Sequence, residues 1–153
     1  MRSLANESDK TAVLGRLRAL KPDSARRWGK MSPHEMVCHL NDSFKAAIGT
    51  KPVSSVNTNM LIRTLARWFA LYVPVRWPRG VPTRPEMDPQ RQGTLPTDFD
   101  RDVATLAAMI ERVSNPNKDF AWYRHPFFAE MSERDWLRWG YLHTDHHLRQ
   151  FGL

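Results

Sequence analysis

The amino-acid sequence predicts an all-α protein: an up-down four-helix bundle with an additional short helix and a long proline-rich crossover loop. Five segments carry apolar residues at helical spacing, and two of them begin at a serine suited to cap a helix. No stretch alternates apolar and polar residues as a half-buried strand would. A chain of 153 residues is long enough for one hydrophobic core, so we expect residues 1–153 to form a single domain.

The first two helices are marked by their ends as well as by their apolar spacing. Apolar residues recur at helical spacing from Glu7 to Leu20, and Pro22 ends this helix because proline cannot continue it. The second helix is predicted to begin after Ser32, which can cap it, with Glu35 completing a capping box. It is predicted to end near Gly49, since glycine favours the backbone conformation that terminates helices.

A third helix, predicted over residues 58–72, is unusually apolar for its length. Such a helix is either deeply buried or used in a contact between subunits, so a homodimer is one expectation. A basic amphipathic helix lying on a membrane surface is a less favoured interpretation. No stretch is long and apolar enough to span a bilayer, so we expect no membrane partner.

The segment that follows, residues 73–97, contains six prolines, and neither a helix nor a central strand tolerates that spacing. A loop of this length within one domain is either a cover over a functional site or a rigid crossover between antiparallel helices. The sequence leaves both interpretations open. The fourth helix is predicted over residues 98–113, and the fifth follows Ser132, which can cap it, and continues towards Gly152.

The composition excludes several classes of site. Cys38 is the only cysteine, which rules out an internal disulfide and a cysteine-rich zinc site, and we interpret it as a small buried residue. The formal net charge of +7 comes from scattered basic residues, so a solvated basic surface is favoured over a nucleic-acid-binding protein. The first residues lack the apolar core of a signal peptide, and we therefore expect a cytoplasmic protein.

Histidines near the end of the chain indicate where a metal could bind. His143 and His147 lie one helical turn apart, so they point the same way and suit two ligands of one ion. A third ligand is expected from a facing helix. His39 is the best candidate because it lies mid-helix among small and acidic neighbours, and His125, in a connector, ranks second. Histidines at this spacing more often pack or form hydrogen bonds than bind metal, so that alternative stays open.

The remaining candidates are side chains that helical geometry places near these histidines. Three are predicted to line a pocket, although core packing is the simplest role for the two aromatic ones: Trp136, Trp139 and Ser43. Two are expected to contact a ligand histidine and orient it: Gln150 and His146. Three are candidates for moving protons in catalysis: Glu35, Asp42 and His146.

Two pieces of the chain carry a resemblance to known proteins. WGKMSPHEMVCHLNDSF, at residues 28–44, places a His-Leu pair on the second helix, and residues 125–152 begin with HPFF and end with HTDHHLRQFG. Together they resemble the DinB/YfiT-like superfamily of metal-dependent helical-bundle proteins, in a branch that shares the HPFF start and the DHHLRQFG end. The order and length of the helices also fit, whereas residues 51–98 carry little of the resemblance.

The resemblance implies a four-helix bundle with a three-histidine metal site, whose ligands fall on His39, His143 and His147. The ion in such proteins is zinc, nickel, iron or manganese, and three nitrogen donors accept most of these. Some relatives are metal-dependent thiol transferases or thiol-dependent isomerases. In this chain the basic charge would suit an acidic low-molecular-weight thiol such as bacillithiol, mycothiol or glutathione.

The leading hypothesis is a divalent-metal-dependent enzyme with a small-molecule substrate. It would transfer a low-molecular-weight thiol to an electrophile, as an S-transferase, or act as a related metal-dependent hydrolase. The alternative is a non-catalytic metal- or ligand-binding helical bundle, dimeric through its apolar third helix. The first hypothesis predicts turnover of a thiol with an electrophile, and the second predicts a bound metal without turnover.

Overall fold

The computed structural model describes all 153 residues and contains five α-helices and no strand, which confirms the all-α prediction. Short 3-10 turns lie at Pro85–Met87 and Arg149–Phe151. The bounds of the helices agree with the predicted ones to within two residues at most ends. In chain order they are α1 (Glu7–Ala19), α2 (Pro33–Ala47), α3 (Met60–Tyr72), α4 (Phe99–Ser114) and α5 (Glu133–Leu148).

Side-chain caps fix where the helices begin, because the first backbone N–H groups of a helix have no partner within it. At α2, Ser32 Oγ accepts from the backbone N–H of Glu35 at 3.2 Å, and Glu35 Oε2 accepts from the backbone N–H of Ser32 at 2.7 Å. This is the predicted capping box. At α5, Ser132 Oγ accepts from the backbone N–H of Asp135 at 3.1 Å. Both helices of the candidate site therefore begin at their predicted residues.

The core lies between α1, α2, α4 and α5. Helix α2 packs against α4, α1 packs against α5, and further contacts join α1 to α4 and α2 to α5. Where α2 and α5 meet, Gly140 leaves space for its neighbours: a Cβ at that position would lie 2.8 Å from Leu4 Cδ1 and 3.1 Å from Phe44 Cε1. The close approach at Gly140 brings the middle of α5 against the middle of α2, where the candidate histidines lie.

Helix α3 lies outside this core and packs mainly against α5. Leu71 is its one buried residue, so the expectation of a deeply buried helix is wrong. A contact between subunits stays a prediction. None of the five helices combines the length and apolar character that crossing a bilayer would require. The apolar side chains that α3 leaves exposed are Met60, Leu61, Ile62, Leu65, Trp68 and Phe69.

The proline-rich segment is fastened to α2 by hydrogen bonds. Thr94 donates to both oxygens of the buried Asp42 carboxylate, from its backbone N–H at 2.8 Å and from its hydroxyl at 2.7 Å. Gln90 Nε2 donates to Glu35 Oε1 at 3.1 Å. These hydrogen bonds hold the segment against α2, and both interpretations of residues 73–97, a cover over a site and a crossover between helices, stay predictions.

Candidate metal centre

Three imidazoles meet between α2 and α5. The Nε2 atom of His143 lies 3.3 Å from Nε2 of His39 and 3.1 Å from Nε2 of His147. His39 and His147 are 3% and 8% exposed, so bulk water contributes little to the space between the rings. These are the residues that the resemblance implied as ligands, and they form a group able to hold a metal ion.

Hydrogen bonds set the tautomers of two of these rings. Nδ1 of His39 lies 2.8 Å from the carbonyl oxygen of Met87, which can only accept, so Nδ1 carries the proton. Nδ1 of His147 donates in the same way to Gln150 Oε1 at 2.6 Å. A neutral imidazole has one protonated nitrogen, so both rings turn an Nε2 lone pair towards His143.

The hydrogen-bonding needs of the third ring, His143, cannot be met within the cluster by protons alone. A proton on Nε2 of His143 could serve one neighbouring lone pair but not both, and the buried Nδ1 of His143 has no hydrogen-bond partner. With the proton on Nδ1, three lone pairs point at one another instead. A cation between the Nε2 atoms would satisfy all three, which is the arrangement that metal-binding histidines adopt.

The spacing of the nitrogen atoms also fits a metal. Two imidazole nitrogens that bind one zinc ion at ~2.0–2.1 Å with tetrahedral angles stand ~3.3–3.4 Å apart. The two Nε2–Nε2 separations around His143, 3.1 and 3.3 Å, lie at or just below this value. The ligand atoms of all three residues lie within 4.8 Å of one another, close enough to form a group that could hold an ion.

Burial keeps these imidazoles neutral. It lowers the pKa of His39, and it lowers the pKa of His143 and His147 well below the ordinary value, with the neighbouring histidines adding to the effect. Neutral imidazole is the form that binds metal, so the cluster is in its binding form at neutral pH.

Gln150 and His146 are both predicted to orient a ligand histidine, but only Gln150 forms a hydrogen bond to one. Gln150 contacts His147 as expected. The ring of His146 lies 5.4 Å from that of His147 but packs edge-on against Trp28 at 4.7 Å, and burial followed by the charge of Arg149 lowers its pKa to about 4. His146 therefore borders the cluster rather than joining it, and its role in moving protons stays a prediction.

The predicted pocket residues line the cluster unequally. Trp139 packs against His143, with ring centroids 4.7 Å apart. Ser43 donates to the backbone carbonyl of His39 at 2.8 Å, as serine does within helices, and does not reach the imidazole nitrogens by a hydrogen bond. Trp136 stacks on Trp122 at 5.4 Å and packs edge-on against Trp139 at 5.3 Å, so it belongs to the core and reaches the three histidines only through Trp139.

The carboxylates of Glu35 and Asp42, both candidates for moving protons, accept hydrogen bonds from the proline-rich segment. Glu35 is held by its own helix cap and by Gln90, and Asp42 is held by Thr94 and by Lys51, whose Nζ lies 3.3 Å away. Neither makes a hydrogen bond to a histidine of the cluster. Their catalytic role stays a prediction, while their structural role is plain.

His125, the second-ranked candidate ligand, forms hydrogen bonds within its own turn instead of facing the three histidines. Its Nδ1 accepts from the backbone N–H groups of Phe127 and Phe128 at 3.1 and 3.0 Å, and its ring stacks on Phe128. Burial lowers the pKa of His125 to about 3. His125 thus stabilises its own turn, and it is absent from the group of three.

A second group of polar side chains joins α2 to α4. His34 Nε2 lies 2.7 Å from Asp102 Oδ2, and Cys38 Sγ lies 3.7 Å from the same oxygen. The three side chains are also close enough together to hold a metal ion, but burial, helped by the charge of Asp102, raises the pKa of Cys38 to about 12, so without a metal the thiol stays protonated. We interpret this group as a structural contact, in line with the expected buried cysteine.

Sequence reasoning missed two loop contributions to the site. Met87 orients His39 through its main chain, and the Trp77 ring lies 6.0 Å from both His143 and His146, held by a hydrogen bond from its Nε1 to Ala70 O at 2.8 Å. The one available signal was the length of the proline-rich loop, which does not specify which of its residues reach the histidines.

A known protein family matches almost the whole chain. A family model described as "Protein of unknown function (DUF1569)" matches residues 1–152. The chain belongs to the DUF1569 family. No curated protein and no solved structure matches it. For this DUF1569 protein, function must therefore be argued from the three-histidine group itself.

Proposed function

We propose that this DUF1569 protein is a divalent-metal-dependent enzyme whose metal is held by His39, His143 and His147. The observation that carries the proposal is the convergence of the three Nε2 atoms, with two tautomers fixed so that lone pairs face inward. Such a cluster is costly to bury without a cation, because lone pairs in contact repel each other and water cannot reach them.

We further propose that the protein belongs to the DinB/YfiT-like superfamily and folds as its four-helix bundle. The mutual packing of α1, α2, α4 and α5 supports this, since α3 contributes one buried residue and lies to the side. One continuous core links these four helices, which supports a single domain over residues 1–153.

The reaction we propose is transfer of a low-molecular-weight thiol to an electrophile, with hydrolysis as the related chemistry. When bound, a zinc, nickel, iron or manganese ion would act as a Lewis acid that lowers the pKa of a thiol or of water. In the transfer, the thiol loses its proton, its sulfur bonds to an electrophilic carbon, and the leaving group departs with the bonding electrons. Met87 and Gln150 keep two ligand rings oriented, while Trp139 and Trp77 pack beside His143, which stays partly exposed.

A non-catalytic metal-binding bundle is the second candidate. The observation in its favour is burial, because two of the three proposed ligands, His39 and His147, are as enclosed as those of a structural metal site. In this candidate the exposed apolar face of α3 would join two copies of the chain. It predicts full metal content with no turnover.

The deciding experiment is elemental analysis of protein purified without an affinity tag. We expect about one divalent ion per chain, lost in His39→Ala and His147→Ala. The matched control is His125→Ala, the second-ranked candidate ligand, which lies outside the group of three and should keep its metal. Wild-type protein that stays empty after metal is offered would refute both candidates.

Turnover then separates the two candidates. Wild-type protein would be incubated with glutathione and a chromogenic aryl halide, before and after removal of the metal by a chelator. Conjugate formation that needs the metal and disappears in His143→Ala supports the enzyme. Metal binding without conjugation of any thiol offered would favour the non-catalytic bundle.

A further inference from the structure

Beside the three histidines lies a pocket of about 240 Å³ with an unusual lining. No acidic residue contributes to it. Its volume is below the ~300–1,000 Å³ of sites for drug-sized ligands, so its occupant would be small. The charged and aromatic side chains around it are Arg27, Arg76, Arg79, Arg149, Trp28 and Trp77.

Most of the positive charge in this pocket is uncompensated. Only Arg149 is paired with a carboxylate, through Nε to Asp145 Oδ2 at 2.9 Å, and Asp145 is shared with Arg16 at 2.6 Å. Arg27, Arg76 and Arg79 form no salt bridge, in a structure where nine such pairs occur. Three unpaired guanidinium groups at one small pocket favour an anionic occupant.

Two of these arginines, Arg27 and Arg79, are exposed but each contacts a neighbouring group. The backbone N–H of Arg27 donates to Gln150 O at 2.6 Å, and its side chain lies so close to Gly152 that a Cβ there would be 2.5 Å from Arg27 Nη2. Arg79 lies over the Trp28 ring at 5.1 Å, a cation–π contact. Side chains ordered before binding lose less entropy when an anion arrives.

The pocket borders the candidate metal centre. His146 contributes to its lining, and the His146 ring lies 5.4 Å from that of His147. Trp77 lines the same pocket and reaches both His146 and His143 at 6.0 Å. A molecule bound by the arginines would therefore have its other end one ring away from the histidines.

The distribution of charge along the chain supports the same conclusion. Residues 43–85 contain seven basic residues and no acidic one, so the remaining residues hold 16 basic (23 − 7) and 16 acidic side chains. The whole net charge of +7 thus comes from this stretch, which supplies two of the pocket arginines. Its basic residues are Lys45, Lys51, Arg63, Arg67, Arg76, Arg79 and Arg84.

We propose that this pocket binds the carboxylate or phosphate group of a small anionic substrate and directs its other end past His146 towards the three histidines. The proposal rests on the proposed function for the reacting end, whereas the anion site depends on the arginines alone. It narrows the substrate class to compact molecules with at least one full negative charge away from the reacting atom.

The test is calorimetric titration of metal-loaded protein with succinate and with inorganic phosphate, using succinamide as the neutral probe. Arg27→Gln and Arg79→Gln should each weaken binding of the favoured anion about tenfold or more, because a charge-assisted hydrogen bond is lost. The matched control is Arg18→Gln, an exposed arginine of α1 with no salt bridge, which should leave affinity unchanged. Succinate and phosphate serve as separate probes, and their relative affinities show which anion the pocket prefers.

Two results would overturn the proposal: no binding of either anion to wild-type protein, or equal weakening by Arg18→Gln and Arg79→Gln, which indicates diffuse charge. Metal content is measured on every variant, so that failure of the anion pocket can be distinguished from failure of the proposed metal centre. Arginine variants that keep their metal and lose the anion support the pocket. Wild-type protein that binds the anion without holding metal supports the pocket and refutes the metal centre.

Discussion

The hydrogen bond from His147 Nδ1 to Gln150 Oε1 allows the proposed metal centre to be tested by a measured change in metal affinity. Gln150 is 6% exposed and its contact with His147 is 2.6 Å, so no water replaces the oxygen if it is removed. Gln150→Met keeps the length and volume of the side chain but removes the acceptor. Loss of a group that orients a ligand histidine lowers metal affinity about 10–100-fold, or ~1.4–2.7 kcal/mol.

The assay compares thermal unfolding with and without zinc, followed by far-UV circular dichroism. At a zinc concentration about 100 times the dissociation constant, the wild type gains ~2.7 kcal/mol, which is ~5–11 °C for a domain of this size. At the same concentration, Gln150→Met should keep only ~0.4–1.4 kcal/mol, or ~1–6 °C. Competition with a chromogenic chelator gives the affinities directly.

The shift caused by zinc is the informative quantity, because the substitution also destabilises the metal-free protein. Gln90→Met is the matched control: this amide bonds to Glu35 at the start of α2, outside the cluster, and its zinc shift should equal that of the wild type. If Gln150→Met binds zinc within twofold of the wild type, Gln150 does not set the tautomer of His147, and the His147 lone pair is not fixed towards the proposed ion.

Three further predictions concern the framework around the site. Gly140→Ala should cost about 1–3 kcal/mol in urea unfolding, because the new Cβ would lie 3.1 Å from Phe44 Cε1, whereas an unchanged midpoint would mean that the helices separate freely. Burial raises the pKa of Asp102, but the hydrogen bond from His34 and its other hydrogen bonds outweigh this and hold the pKa below the ordinary value. The stability that Asp102 adds over Asp102→Asn should thus be complete above about pH 4 and disappear as the pH falls through the lowered pKa, and a pH-independent difference in urea would contradict it. Cys38, 1% exposed, should react with iodoacetamide only at the rate of unfolding, and rapid labelling of native protein would show that α2 and α4 open locally.

Much of the framework could be predicted because it follows from local chemistry. Helix α2 begins at the cap formed by Ser32 and Glu35, and α5 begins at the cap formed by Ser132. Both caps are side-chain hydrogen bonds that depend on only a few neighbouring residues. The pairing of His143 with His147 is likewise a property of one helical turn. His39 is expected from its mid-helix position among small and acidic neighbours and is also implied by the resemblance, although the whole core sets which helices face each other.

The remainder of the site depends on contacts that no periodic pattern encodes. Trp77 and Met87 come from an irregular segment whose path is set by prolines and by hydrogen bonds to α2. The pocket arginines come from three separate segments, so they look scattered in sequence although Arg27 and Arg79 line one cavity. Helix α3 shows another limit: an apolar face indicates that it needs a partner, but not that the partner belongs to the same chain.

The hydrogen bond from His39 to the main-chain oxygen of Met87 affects how this site can change by mutation. A side-chain acceptor is lost with one substitution, but every amino acid supplies a carbonyl. Position 87 is therefore free to vary in sequence without altering which nitrogen of His39 is available. Insertions or deletions near residues 85–94 are different, because they would move that carbonyl while Thr94 stays fastened to Asp42. The orientation of this ligand is thus encoded in loop length rather than in residue identity.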